Sequence, residues 1–454
     1  LNASETLIDH ALGISWEAVP GAAQDATRTF LHDSLCVGIA GRNAAHADAV
    51  LAMAQGWGEG GSACVLGRPG VTLPAASAAF VNAFQIHGQE YDCVHEPAVL
   101  HPMATVLAAL LVEAERGAPV RGNDFLAAIV AGVDVAVTLG LAATGPLSFF
   151  RPATAGIFGC VAAIARLRRM DRQQALDAFG HALAFASGTM QAHVEGKPAL
   201  PVQVANAARS SLVAIDLARA GMPGVAAPIE GPFGYLALQE IAHDLPAALA
   251  LLAKGHRIVE VSWKPFPTGR AGHGGIVATQ RLMAEQGLRP EILEQLDYHA
   301  PPLIHRLVGR PAKDSMEPGY ARLCLPWLIA VTLTRGTVGL ADFQRESLDD
   351  PALLALAARI AVVNDGNPDP AAFVPARAVA KLSDGRCMDV ALAAQLGSPQ
   401  WPLTRQQHDI KALACLTFGG LATVHLPLIE AIAGLDSSND ALASLRATGI
   451  MGAA

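Results

Sequence analysis

The stretch His87–Glu115, HGQEYDCVHEPAVLHPMATVLAALLVEAE, sets the reading of the whole chain. Its second half, after His101-Pro102, has the unbroken apolar run of a buried helix, and proline at a first helical turn gives up no N–H that the helix needs. Its first half crowds His87, Glu90, Asp92, His95, Glu96 and His101 into a loop that ends on that helix. Free backbone N–H groups and the positive end of the helix dipole at such a junction favour an anion. Carboxylates beside imidazoles are also what proton transfer uses, because burial and neighbours tune both. The same residues suit a wet loop capping a core helix, and the acids and histidines lack a compact metal-ligand spacing.

Outward from this stretch the texture is helical in both directions. TRTFLHDSLCVGIAG and PAASAAFVNAFQIHG precede it; NDFLAAIVAGVDVAVTLGLAAT, AGIFGCVAAIARLRRM and DRQQALDAFGHALAFASG follow it. Apolar residues recur at three and four positions, Asp171 is placed as an N-cap, and Gly156, Gly159, Ala162, Ala163 and Ala165 would let helix backbones approach closely. GSACVLGRPGVTLP between the early helices is a connector with room for a short extended piece. Near residue 256 the pattern changes. HRIVEVSWKPFP, EILEQLDYHAPPLIHRLVG and ARIAVVNDG read as strands, and PARAVAKLSDGRCMDVALAAQ as a hairpin turning at Asp384-Gly385. Helical texture returns after Thr404. The expected fold is mainly α: a large all-helical domain formed by both chain ends, residues 1–261 and 399–454, with an inserted smaller α+β lid domain, residues 262–398.

Of the 454 residues, 52% are hydrophobic and 16% charged, with a mean hydropathy of +0.34. That balance points to extensive burial, in enclosed helices or against a second subunit. The longest apolar run is broken by Asp134, so no transmembrane span is expected and no membrane partner. The start of the sequence shows no secretory pattern, and the seven cysteines are scattered without a C-x-x-C pair, which together suggest a cytoplasmic protein without structural zinc. A net charge of −8 leaves no electrostatic footprint for nucleic acid. Nucleotide, serine-hydrolase and zincin motifs are absent.

Three further clusters carry chemistry. In FFRPATAG (149–156), Arg151 stands at a helix start, where guanidinium and backbone N–H groups could hold a carboxylate together. In GTMQAHVEGKP (188–198), His193, Glu195 and Lys197 alternate in a glycine-bounded loop. In WKPFPTGRAGHGG (263–275), Lys264, Arg270 and His273 gather at the junction between the two textures, a place where clefts form. Each could equally be a solvated or structural segment.

Taken in order, HGQEYDCVHEPAVLHP, FFRPATAGIFG, SGTMQAHVEGKP, EGPFGY, KPFPTGRAGHGG and YARLCLPWLIAVTLTRGTVGLADF resemble the MmgE/PrpD family along nearly the whole chain. That family includes 2-methylcitrate dehydratase, cis-aconitate decarboxylase and iminodisuccinate epimerase. The resemblance implies a homodimer, no metal and no organic cofactor, and a small di- or tricarboxylic acid substrate that loses a proton next to a carboxylate. It makes His101, Glu90, Asp92, Lys264 and His273 the expected catalytic residues, and Arg151, Lys197, Arg270, His95 and Trp327 the expected substrate-binding ones. Glu90 stands where an aspartate is usual, Arg151 where a histidine is, Leu200 and Gln203 where a lysine and a histidine are, and Trp327 where a tyrosine is. Such departures point to a substrate of different charge or shape, or to a different outcome after proton abstraction. The expected function is a cofactor-free lyase of dehydratase or decarboxylase type. An epimerase of a dicarboxylate and a non-catalytic carboxylate-binding paralogue are the alternatives.

Overall fold

A computed structural model describes residues 2–451. The helix predicted from the opening stretch is present as Pro102–Glu115, with His101 at its N-cap and Pro102 at its first position. Every residue from Pro102 to Ala114 is buried, so this is a central helix, apolar on all sides. It packs against Ala75–His87, Gly122–Ala142, Gly156–Arg168 and Ala199–Arg219.

Gly122–Ala142 has the length and hydropathy of a membrane span, but 94% of its most apolar window is buried inside the fold. It crosses Gly156–Arg168 at van der Waals range, as the small-residue spacing predicts. A Cβ at Gly159 would lie 2.6 Å from the Gly132 carbonyl oxygen and 2.7 Å from the Ala136 Cβ. Only glycine lets the two backbones come this close. Within the same helix the fully buried Asp134 accepts hydrogen bonds at 2.9 Å from His10, 2.7 Å from His256 and 2.7 Å from the Arg257 backbone N–H. One carboxylate thus ties the first helix, Ala3–Gly13, to the segment that leads into the Lys264 region.

After residue 256 a four-stranded mixed sheet forms, in the order Ile360–Asn364, Leu293–Ala300, Ala376–Leu382, Cys387–Leu392. The first pair is parallel and the other two antiparallel. The last two strands are the hairpin predicted at Asp384-Gly385, with Gly385 at φ 86°. Helix His273–Gln286 packs on these same two strands. The connector near residue 63 holds two two-residue strands, Ala63–Cys64 and Thr72–Leu73.

Two expected strands are not strands. HRIVEVSWKPFP forms a 3-10 turn, Arg257–Glu260, followed by a single bridge between Ser262 and Val94. Anchoring of the Arg257 N–H on Asp134 takes the place of a ladder, and Pro265 and Pro267 offer no N–H to extend one. PPLIHRLVG continues as a helix, Pro302–Val308, because the Pro301-Pro302 pair stops the preceding strand and starts a helical turn. The C-terminal helices return to the N-terminal ones. Arg405–Phe418 packs on Gly21–Ala40, with Lys411 and Asp33 paired at 2.7 Å in the interior, and Arg446 pairs with Glu115 at 2.5 Å. The described residues are therefore mainly α, with one four-stranded sheet and one short two-stranded pairing.

Candidate active site

The polar loop between helices Ala75–His87 and Pro102–Glu115 is fastened at several points. Backbone bridges pair Val94 with Ser262 and His95 with Leu100, and Val99 and Glu90 hold the left-handed conformation at φ 50° and 49°. For non-glycine residues that conformation is uncommon and strained, and surrounding contacts must enforce it. At Glu90 the enforcing contacts come from Lys264, which donates to the Glu90 carboxylate at 2.9 Å and to its backbone carbonyl at 3.1 Å.

From Lys264 a chain of alternating charge runs inward. The Glu90 carboxylate lies 3.6 Å from the His87 ring. The His87 Nδ1 meets Asp92 at 3.0 Å, and the same Asp92 oxygen meets His101 Nδ1 at 3.1 Å. The two rings stand edge to face, 4.8 Å between centroids. Burial works to raise both carboxyls, but opposite charge wins. Lys264, then His87 and His101, bring Glu90 down to about 2, and the two imidazoles hold Asp92 well below the usual carboxylate range. Burial also opposes a charged His87, yet Asp92 and Glu90 outweigh it and lift that ring above its ordinary value. At His101 burial wins and the pKa falls, with Asp92 pulling against it and Lys264 acting with it. Because Asp92 stays ionised and can only accept, the proton of neutral His101 sits on Nδ1, which leaves Nε2 as the free base.

His101 lines a small cleft of about 60 Å3, together with Glu90, Arg151, His193 and Arg270. The His101 side chain keeps 13% exposure, whereas Asp92 behind it has none. Arg270 donates from Nε to Glu96 at 2.7 Å and from Nη1 to the Leu396 and Trp263 carbonyls, while its buried Nη2 has no partner. Arg151 is spent on a two-point pair with the buried Glu240, at 2.8 and 3.1 Å. His193 receives the Arg310 guanidinium at 3.4 Å; burial first and Arg310 second lower its pKa to about 4, so it is neutral.

The structure brings His101, Glu90, Asp92, Lys264, Arg270 and Arg151 together at or directly behind the cleft. Four expected site residues are placed elsewhere. His273 lies fully buried behind Arg270, with Nδ1 facing the guanidinium at 3.2 Å and Nε2 facing the Thr268 carbonyl at 3.3 Å. Both ring nitrogens are occupied, so it orients Arg270 and has no lone pair for substrate. His95 pins its loop, meeting Glu260 at 3.0 Å and accepting from the Ala98 N–H. Lys197 is exposed and lines a separate cavity on the other side of Glu90, with Arg322 and Leu200. Trp327 is fully buried and packs on Phe343, away from the cleft. In turn the expected set lacks His87, His193, Glu96 and Glu240. His87 and Glu96 stand in the opening stretch and His193 in the 188–198 loop, but nothing local marks Glu240, which tertiary packing alone brings to Arg151.

The His87, Asp92 and His101 donor atoms lie within 4.8 Å of one another, as do those of His10, Asp134 and His256. These are the described groups with the spacing to hold a divalent ion. In both, a carboxylate oxygen bridges two imidazoles by hydrogen bonds.

The MmgE/PrpD N-terminal domain matches residues 5–247 and the MmgE/PrpD C-terminal domain residues 266–422, so the chain belongs to the MmgE/PrpD family. It is a divergent member. It is 26% identical to the cis-aconitate decarboxylase of Homo sapiens over 66% of this chain and 63% of that protein. The Mus musculus cis-aconitate decarboxylase is 25% identical over 74% and 70%. A cis-aconitate decarboxylase-like protein, oryM, of Aspergillus oryzae is 25% identical over 84% and 83%. The human alignment thus spans less than two thirds of its relative.

Proposed function

We propose that this protein is a cofactor-free lyase of the dehydratase or decarboxylase type that removes a proton next to the carboxylate of a small acid. The observation that carries the reading is the His101 ring, held by the ionised Asp92 at 3.1 Å with its other nitrogen at the cleft. His101 Nε2 takes the proton, Asp92 steadies the imidazolium that forms, and the unpartnered Arg270 Nη2 faces the charge that develops on the substrate carboxylate. In a dehydration the C–H electron pair becomes the double bond as the C–O bond breaks, and the hydroxide leaves as water with the proton held on His101. In a decarboxylation the C–CO2 bond breaks with its electron pair left on carbon, which takes up a proton from protonated His101. The Lys264–Glu90 pair fixes the floor of the cleft and sets the charge felt by both histidines. The same reading takes residues 262–398 as a lid on the helical body and the active species as a homodimer.

The test is proton NMR in heavy water with cis-aconitate and a set of 3-hydroxy acids, comparing the wild type with His101→Asn. Loss of a positioned general base costs about 100-fold to 10,000-fold in rate. The expected result is an unsaturated or decarboxylated product from the wild type and a loss of that size in a folded variant. Undiminished turnover by His101→Asn would remove the assignment. Deuterium uptake without loss of water or carbon dioxide would make the enzyme an epimerase.

A further inference from the structure

We propose that His10, Asp134 and His256 form a binding site for a divalent first-row metal ion, zinc by the chemistry of its donors. Bound there, the ion fastens the first helix to the segment that leads into Lys264. None of the three residues lines the cleft, and the ion takes no part in the chemistry proposed for it.

The three side chains come from distant parts of the sequence. His10 stands in the last turn of Ala3–Gly13, Asp134 inside Gly122–Ala142, and His256 just before the turn Arg257–Glu260. Folding brings His10 Nε2 to 2.9 Å and His256 Nδ1 to 2.7 Å from the same Asp134 oxygen. The three donor atoms lie within 4.8 Å of one another. Ligand atoms bound at about 2.0–2.1 Å in a tetrahedral zinc site stand about 3.3 Å apart, so the two contacts need to open by about half an ångström. The other Asp134 oxygen accepts from the Arg257 backbone N–H at 2.7 Å, which orients the carboxylate as an outer-shell partner does. On coordination each ring's proton moves to His10 Nδ1 and His256 Nε2, and neither nitrogen has a protein partner among the described residues. The two imidazole side chains keep 19% and 15% exposure, so solvent can deliver the ion and water can complete its shell.

What the group lacks is a fixed cation. Asp134 is fully buried. Burial works against its charge, yet the hydrogen bonds from His10 and His256 overcome it and hold the carboxyl below its ordinary value. Among the described residues no lysine or arginine pairs with it, and the Arg257 guanidinium turns instead to Glu260 and the Gly255 carbonyl. Other interior acids of the helical body are matched: Asp33 has Lys411 at 2.7 Å, and Asp124 has Arg166 and Arg169. A buried carboxylate without a counter-charge is costly, and a divalent ion supplies that charge. Two imidazoles with one carboxylate suit zinc and its first-row neighbours, whereas calcium and magnesium take oxygen ligands. The position gives the ion a structural role. Beyond His256 the chain hands Glu260 to His95 and Ser262 to Val94 before it reaches Lys264, so an ion shared with the first helix steadies that whole approach.

The test titrates the whole chain, stripped of metal by chelator and dialysis, with zinc chloride in a calorimeter, beside His10→Gln, His256→Gln and His101→Asn. Glutamine can still donate to Asp134, but its amide oxygen is a poor zinc ligand beside an imidazole. One tight equivalent per chain is expected in the wild type and in His101→Asn. In each glutamine variant the affinity should fall by more than about 100-fold, beyond what loss of an outer-shell partner costs. Metal-free circular dichroism shows that each variant is folded, and two variants from separate elements keep the result readable if one is not. Hydrogen exchange reads the structural role: zinc should slow it across residues 3–13 and 255–262 in the wild type but not in His256→Gln. No tight equivalent in the wild type, full affinity in either folded glutamine variant, or loss of the ion in His101→Asn alone overturns the site. Tight binding that leaves exchange in both segments unchanged overturns the fastening role.

Discussion

At the scale of single residues, the cleft works by setting two histidines apart that share one carboxylate. His87 and His101 both contact Asp92, yet His87 is lifted above the usual imidazole value and His101 pushed below it. The difference comes from the neighbours: Glu90 joins Asp92 in raising His87, whereas Lys264 and His87 join burial in lowering His101. A base must be neutral to act, so kcat/KM is expected to be flat above about pH 6.5, the unperturbed imidazole value, and to fall as pH drops through the lowered pKa of His101. The acids add no limb in that range, because Glu90 titrates at about 2 and Asp92 below its usual range. A pH profile measured with saturating and limiting substrate checks this. An activity that falls on the alkaline side of pH 6.5 and holds at pH 5 would assign the base elsewhere. The strained Glu90, at φ 49°, belongs to the same device. Its side chain and its carbonyl both serve Lys264, so the unusual backbone is held by an ion pair at the cleft floor.

At the scale of elements, close helix contact decides where that loop sits. Helix Pro102–Glu115 is buried on all sides, so its N-terminal end and His101 can move only if the surrounding helices do. Gly132 and Gly159 supply the backbone approach that lets Gly122–Ala142 and Gly156–Arg168 enclose it. Gly159→Leu would place side-chain atoms where a carbonyl and a methyl already stand. Overpacking of this kind costs about 1–3 kcal/mol, occasionally more. The denaturation midpoint in urea is expected to fall accordingly, and an unchanged midpoint would show that the crossing is looser than its distances imply. This element-scale order was legible in the sequence: the small-residue spacing, the Asp171 cap and the Asp384-Gly385 hairpin are local signals and all are present. The misread segments share a cause. HRIVEVSWKPFP alternates like a strand, but Asp134, more than a hundred residues away, claims the Arg257 N–H. Likewise Glu240 carries no local mark, and its role exists only because folding delivers it to Arg151. His273 and Trp327 sit in the expected motifs, but a motif does not say which way a side chain points.

At the scale of the whole molecule, the apolar composition is mostly accounted for by enclosed helices, with exposed large apolar side chains at several places, Ile410, Leu413 and Leu426 among them, and most densely at residues 222–241. Residues 222–241 expose Phe233 at 77% and Ile241 at 87%, with Met222, Val225 and Leu238 also open. Large apolar side chains concentrated in one exposed segment mark an interaction surface more often than scattered ones do. In a homo-oligomer the same patch on two copies can cover itself about a twofold axis. We propose that this segment forms the contact of the homodimer. Sedimentation equilibrium at micromolar protein should give twice the chain mass of 47.0 kDa. Phe233→Lys combined with Ile241→Lys should shift the species toward the single chain, since two unpaired cations would be buried at a closed interface. Both side chains are open in the single chain, so the variant is expected to keep its helical circular dichroism. A wild type that sediments as one chain, or a double variant that stays dimeric, would take the contact away from this segment.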